Sequence, residues 1–274
     1  MDLFNSNEAC QCNYNNSLSV HGMLPYLLYD ISDDIRIFDC PESTNQTAKE
    51  PAYSSAKHGT IIIAETQTAG KGRYGKSFHS PPDCGLYITF ILNPENMTFS
   101  TPTLITAFAA VAVCETIEAI TDKSPKIKWV NDIFLADKKI CGILTESVNT
   151  QENKRQIILG IGININDPSE GFPDELKTTA GSIFGTDKPS ITRNNLAAEL
   201  INRILFSSDL YDEKIMLAKY KYRMFLLGKV ITVNETKSSY KATVLDVDGH
   251  GHLIVKTFEN KIMSLSTGEV SIEK

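Results

Sequence analysis

The stretch 67–80, QTAGKGRYGKSFHS, constrains this chain more than any other. It interleaves three glycines (Gly70, Gly72, Gly75) with three cations (Lys71, Arg73, Lys76), and it lies between two strand-like apolar runs, 60–64 and 86–92. A segment so rich in glycine continues neither strand, so the chain has to turn there. The same glycines let backbone N–H groups approach an anion closely, and the cations offset its charge. A solvated turn between strands has the same composition, so the loop by itself leaves both readings open.

Before the loop, residues 1–30 are polar without a strong period and read as a tail with a short helix toward Leu27. Residues 35–38 read as a first strand. Ser43 with Gln46 three positions on has the spacing of a capping box, which places a helix start, and its backbone donors, at a strand end.

After the loop, 86–92 (LYITFIL) reads as a buried strand, and Thr101-Pro102 as the N-cap and first position of a long helix running to about Ile120. Residues 126–146 read as a strand, a turn around Asp137-Lys138 and a return strand. That return strand is expected to carry Lys139, Cys141 and Ile143 on one face and Ile140, Gly142 and Leu144 on the other. A further strand, 156–166 (QIILGIGININ), has Gly160 and Gly162 where another group can approach the backbone, and Asn164 as an amide to offer a ligand or the core. Helices are expected over 195–206 and 212–225. From Gly228 onward five short β runs separated by turn residues describe a small barrel.

Acidic residues outnumber basic ones, 33 to 27, so no overall positive field exists to hold nucleic acid or an anionic membrane. The longest apolar run, 104–114, is shorter than the roughly 20 residues a membrane span needs and reads as a buried helix. No basic region followed by an apolar segment opens the chain, so no secretory signal is expected. Six scattered cysteines suit a reducing, cytoplasmic setting. Cys10 and Cys12 lack the further ligands a structural zinc requires.

Four motifs stand in one order: STNQ at 43–46, QTAGKGRYGKSF at 67–78, KWVND followed by KKICGIL within 128–144, and GIGININ at 160–166. Through them the chain resembles the biotin protein ligases, from about Ile35 to its C-terminus. Its ending, YRMFLLG at 222–228 and then short β runs, is similar to their SH3-like C-terminal domain. The resemblance implies an α+β chain: a tail over 1–30, a class II synthetase-like mixed β-sheet with helices over 31–226, and an SH3-like β-barrel over 227–274.

It also implies the reaction, in which biotin and ATP, with Mg²⁺, give biotinyl-5′-adenylate and pyrophosphate, and biotin then passes to one lysine of a biotin carboxyl carrier domain of a biotin-dependent carboxylase. With some 30 residues ahead of the catalytic part, too few for the DNA-binding winged helix of some relatives, a monofunctional ligase is expected. It has no DNA or membrane partner and is a monomer or homodimer.

By the same resemblance, Arg73 holds the α-phosphate and Lys139 bridges the biotin carboxyl and phosphate oxygens. Joining two anions calls for cations fixed beforehand, which suits Arg73, Lys76 and Lys139. Biotin falls to Ser43, Thr44, Asn45 and Gln67, with backbone groups of Lys71, Gly72 and Arg73, and with Lys139 and Gly142. The nucleotide falls to Arg73, Lys76, Phe78, Asn131, Asp132, Lys139 and Asn164. Within that set Asn164 reads the adenine edge, and Asp132 either holds Mg²⁺ or orients the acceptor amine. Trp129 is expected to pack its strand on the core.

The chain departs from the family at Val130, where proline is usual, and at Phe78, where tryptophan is common. Lys71 and Lys76 stand where arginine is frequent and give point charges without a bidentate fork. Two rival readings remain: a lipoate or octanoate ligase, whose R-R-x-G-G-G-type signature is here G-K-G-R-Y-G, and a non-catalytic module that binds a small anion or a peptide.

Overall fold

The computed structural model describes residues 17–99, 101–207, 212–234 and 239–272. Seven strands form one sheet: β1 (Ile35–Phe38), β2 (Thr60–Ala64), β3 (Gly85–Leu92), β4 (Lys126–Lys128), β5 (Asp132–Leu135), β6 (Lys138–Asn149) and β7 (Arg155–Asn164). Their order is β1-β2-β3-β7-β6-β5-β4. β1 and β2 pair parallel, which requires a crossover, and α2 (Thr44–Tyr53) supplies it. The other neighbours pair antiparallel, so the sheet is mixed.

Every residue of β2 and β3 is buried, as expected of apolar runs covered on both faces. On one face lie α3 (Pro102–Ile120), α4 (Arg193–Phe206) and α5 (Glu213–Arg223); on the other α2 closes a small cluster of Ala48, Ala52, Ile62, Ile91 and Ile158. α3 starts as its sequence requires, with Thr101 Oγ1 accepting from Leu104 N at 3.3 Å and Pro102 in the first turn. Its 19 residues are apolar almost all round and long enough by composition to cross a membrane, yet most are buried inside the fold. An all-round apolar helix belongs in a core, and α3 packs there against β6, α4 and α5.

The C-terminal segment forms a second, antiparallel sheet of β8 (Val230–Asn234), β9 (Ser239–Val247), β10 (Leu253–Thr257), β11 (Ile262–Leu265) and β12 (Glu269–Ile272), in the order β11-β10-β9-β8-β12. Five strands stand where five β runs were expected; no β11–β12 pairing that would close a barrel is found among the described residues. A sheet this small cannot bury enough surface alone. It shares the main core through Ile231, Val244 and Val255, and Trp129, buried as expected, also pegs it by donating Nε1–H to Gly251 O at 3.0 Å.

Residues 17–28, within the stretch read as a tail, lie along α4. Leu18 and Met23 are buried, the latter on α1 (Val20–Met23). Asn194 accepts from Ser19 N at 2.9 Å, and Asn202 accepts from Leu28 N at 2.9 Å while donating to Tyr26 O at 2.8 Å. Cys10 and Cys12 lie outside the described residues.

Candidate active site

The glycine loop is a short hairpin. Lys71 pairs with Ser77 across it, Phe78 N donates to Gly70 O at 2.8 Å, and a 3₁₀ turn at Arg73–Gly75 closes the tip, with Tyr74 and Gly75 both at positive φ. Gly70 has to be glycine because a Cβ there would stand 2.4 Å from Phe78 O. Gly72 N–H already donates to Lys76 O at 2.7 Å, so that amide stabilises the hairpin and is not a free donor for biotin.

At the base of the loop Gln67 joins three segments. Its Oε1 accepts from Thr44 N at 2.8 Å and Thr44 Oγ1 at 3.2 Å, and its Nε2 donates to Ser80 Oγ at 2.7 Å. The capping box does not form: Ser43 occupies the N-cap of α2 without a side-chain capping bond, and Gln46 Oε1 instead accepts from Lys71 Nζ at 2.8 Å. Ser43 is thus left facing the cavity.

Asn45, 3% exposed, is held on three sides. Thr89 Oγ1 donates to its Oδ1 at 2.7 Å, and its Nδ2 donates to Glu146 Oε2 at 2.9 Å and Leu144 O at 3.4 Å. Burial raises the Glu146 pKa, but the bonds from Asn45 and Lys49 outweigh this and hold the carboxyl below its ordinary range. The glycines of β7 follow from these neighbours. A Cβ on Gly160 would stand 2.0 Å from Asn45 Oδ1, and one on Gly162 would stand 2.5 Å from the Phe78 ring. Gly162 pairs with Gly142 of β6, whose own Cβ would meet the same ring at 3.2 Å. Two paired glycines therefore make a flat floor under Phe78.

Lys139 reaches this floor because the return strand does not alternate regularly. Phe134 pairs with Lys139 but Ile133 with Cys141, leaving Ile140 as an extra residue in a β-bulge. The bulge resets the alternation, so Lys139 shares a face with Gly142, 3.4 Å from that glycine's Cβ position, and the expected grouping with Cys141 and Ile143 is corrected. Lys139 Nζ pairs with Asp132 Oδ1 at 2.7 Å. Beside it Asn131 donates Nδ2–H to Ile143 O at 2.9 Å and accepts from Arg73 Nη1 at 3.3 Å. The Trp129–Val130 peptide just before it is cis.

These groups border one cavity of about 880 Å³. Six cations (Lys71, Arg73, Lys76, Lys128, Lys139, Lys229) and three carboxylates (Asp132, Asp137, Glu269) line it, so a chain of net charge −6 encloses a positive chamber suited to anions. Ser43, Thr44, Asn45, Gln67, Lys71, Gly72, Arg73, Lys76, Phe78, Asn131, Asp132, Lys139 and Gly142 all border it. Asn164 does not: its Nδ2 donates to Gly181 O at 2.9 Å, tying the end of β7 to the following loop.

Among known proteins, the chain is 36% identical over 231 residues to the bifunctional ligase/repressor BirA of Bacillus spizizenii, the match covering 81% of this chain and 69% of that protein. The sequence pattern of the Biotin/lipoate A/B protein ligase family matches residues 37–164, which hold all four motifs up to Asn164.

The chain belongs to the biotin protein ligase family.

The biotin--[acetyl-CoA-carboxylase] ligase of Mycobacterium tuberculosis is 24% identical, covering 83% of this chain and 85% of that one. A solved structure of the biotin protein ligase from Aquifex aeolicus in complex with biotin and ATP superposes with a TM-score of 0.71 at 26% identity, over 86% of this chain and 97% of that one. For this ligase-family chain, the residues that motif reading missed include several in and beside the C-terminal sheet. Thr267 accepts from Arg73 Nη2 at 3.1 Å and shares a 2.6 Å hydrogen bond with Tyr74 Oη, and Glu269 pairs with Lys76. No local signal marks Thr267 or Glu269, since both act across more than 190 residues of chain. Lys128 could have been found, because it opens KWVND; it borders the cavity, and burial lowers its pKa while Asp132 opposes the shift.

Proposed function

We propose that the chain activates biotin with ATP to biotinyl-5′-adenylate and transfers the biotinyl group to a lysine of a biotin carboxyl carrier domain. One observation carries this reading. Arg73 and Lys139, from hairpins more than 60 residues apart, border the same positive cavity as the polar set Ser43, Thr44 and Gln67. The polar set suits a neutral, hydrogen-bonding ring, and the cations suit a carboxylate meeting an α-phosphate.

Asp132 pairs with Lys139 and Glu269 with Lys76, the cations that would meet the substrates' negative charge. Arrival of biotin and nucleotide exchanges these internal pairs for carboxylate and phosphate oxygens, so the cations are placed before the reaction starts. Asp132 would then hold a magnesium ion carried on the nucleotide, since Mg²⁺ is usually bound by one or two carboxylates and phosphate oxygens, and the ion would neutralise phosphate charge. Asn45, tied to Thr89 and Glu146, shapes the pocket wall, and Phe78 on its glycine floor supplies apolar contact.

The acceptor is a carrier domain in the same reducing compartment, reached without DNA or membrane. Mass spectrometry after mixing the protein with biotin and MgATP is expected to find bound biotinyl-adenylate, and adding a carrier domain should raise the carrier's mass by one biotinyl group. Pyrophosphate release that needs lipoate and ignores biotin would overturn the reading, and binding without turnover would reduce the protein to a binding module.

A further inference from the structure

A second cavity of about 330 Å³ adjoins the first and shares Arg73, Tyr74, Ile143 and Leu144 with it as a partition. Its outer mouth is bordered by Tyr74, Ser266 and Thr267, all exposed. Its inner walls combine hydroxyls, those of Thr103, Thr106 and Thr145, with the apolar surfaces of Pro102 and Val130. Thr106 and Thr145 share a hydrogen bond of 2.7 Å in its wall.

We infer that this side cavity is the port through which the acceptor lysine reaches the adenylate, an inference that rests on the function proposed above. The chemistry of the walls selects the occupant. Pyrophosphate would need several cations, and apart from Arg73 these line the main cavity. A lysine side chain brings four methylenes, which suit the apolar walls, and an amine whose N–H groups hydroxyl oxygens accept. Among the described residues no carboxylate lines the port to hold an ammonium, and Arg73 repels one. The protonated form is therefore disfavoured, and the amine enters as the neutral nucleophile after releasing a proton to water at the mouth.

At the partition the amine nitrogen attacks the carbonyl carbon of the mixed anhydride. A C–N bond forms, the bond from that carbon to the phosphoryl oxygen breaks, and AMP leaves with its electron pair. The second proton passes from the new amide nitrogen to water in the port.

Thr103→Trp fills the inner wall and Ser266→Trp the mouth, and neither residue borders the main cavity. In both variants adenylate formation, read as pyrophosphate release and bound mass, should stay within about twofold of wild type, while transfer from preformed adenylate to a carrier domain falls at least about tenfold, because blocking the approach removes the attack geometry. Hydroxylamine, small enough to reach the adenylate through the main mouth, should consume it at the wild-type rate, reporting an intact adenylate site. Transfer at the wild-type rate in either folded variant overturns the inference. So does a parallel loss of adenylation and transfer in both, which would assign the side cavity to the first half-reaction. Failure of the wild type to form adenylate would instead sink the proposed function itself.

Discussion

Gly160→Ala is a one-methyl test of the site's architecture. The new Cβ would stand 2.0 Å from Asn45 Oδ1, 2.8 Å from its Cγ and 3.0 Å from its Nδ2, so the amide has to leave its place. Asn45 is buried and cannot move without giving up Thr89 Oγ1 and Glu146 Oε2. Overpacking costs about 1–3 kcal/mol. Thr89, fully buried, loses its acceptor, and an unsatisfied buried hydroxyl adds about 1–3 kcal/mol, whereas Glu146 keeps Lys49 at 2.9 Å.

The sum, about 2–6 kcal/mol, corresponds to a melting temperature lower by roughly 5–20 °C in a chain of this size. Thermal melting of the ligand-free protein measures it. The decisive comparison is a double-mutant cycle with Asn45→Ala, which vacates the space the methyl needs. The double variant should be about as stable as Asn45→Ala alone, with a coupling of at least about 1 kcal/mol. Additive losses, or a Gly160→Ala protein that melts with wild type, would refute the account of why β7 carries glycine there.

Gly162→Ala pushes on the half-buried Phe78 ring at 2.5 Å; the ring can swing toward the cavity, so KM for biotin should rise while the melting temperature falls less than in Gly160→Ala. A stable variant with unchanged KM would remove Phe78 from the binding surface. Lys139→Met breaks a partly exposed ion pair and should cost about 1 kcal/mol of stability or less, yet lower kcat for pyrophosphate release about 10²–10³-fold. The opposite pattern would make Lys139 structural. Lys76 holds the Glu269 carboxyl below its ordinary range. A depressed carboxyl contributes its contact above the unfolded value of about 4.3 and loses it as pH falls through the folded value, so hydrogen exchange of the 67–80 loop, corrected for intrinsic rates, should rise only below about pH 4.3. Glu269→Gln should show that loosening already at neutral pH, and identical protection in the two proteins would dismiss the contact as a latch.

The comparison of reading with structure separates local from distant causes. β1, β2, α3 and the five C-terminal strands were legible because their signals are local: apolar runs, a Thr-Pro helix start and turn residues between short β segments. The motifs named Ser43, Thr44, Asn45, Gln67, Lys71, Arg73, Lys76, Asn131, Asp132 and Lys139, about half of the cavity's polar lining, because phosphate and carboxylate chemistry demands particular side chains whatever the fold around them. Gly160 was legible as a close approach, but that Asn45 is the approaching group could be known only once α2 lay against β7.

Three decisions belonged to the tertiary structure alone. Strand alternation put Lys139 with Cys141, and a bulge set by pairing with β5 turned it to Gly142. Asn164 carried an amide free for a ligand until the loop carrying Gly181 folded onto it. Thr267 and Glu269 are ordinary turn and strand residues until the docked C-terminal sheet brings them to Arg73, Tyr74 and Lys76. The sequence by itself determined which side-chain chemistries the chain can offer a ligand, since side-chain chemistry is a local property. Which face Lys139 presents, what holds the glycine loop and where a side cavity opens depend on contacts between segments far apart in the chain, and packing alone decides those.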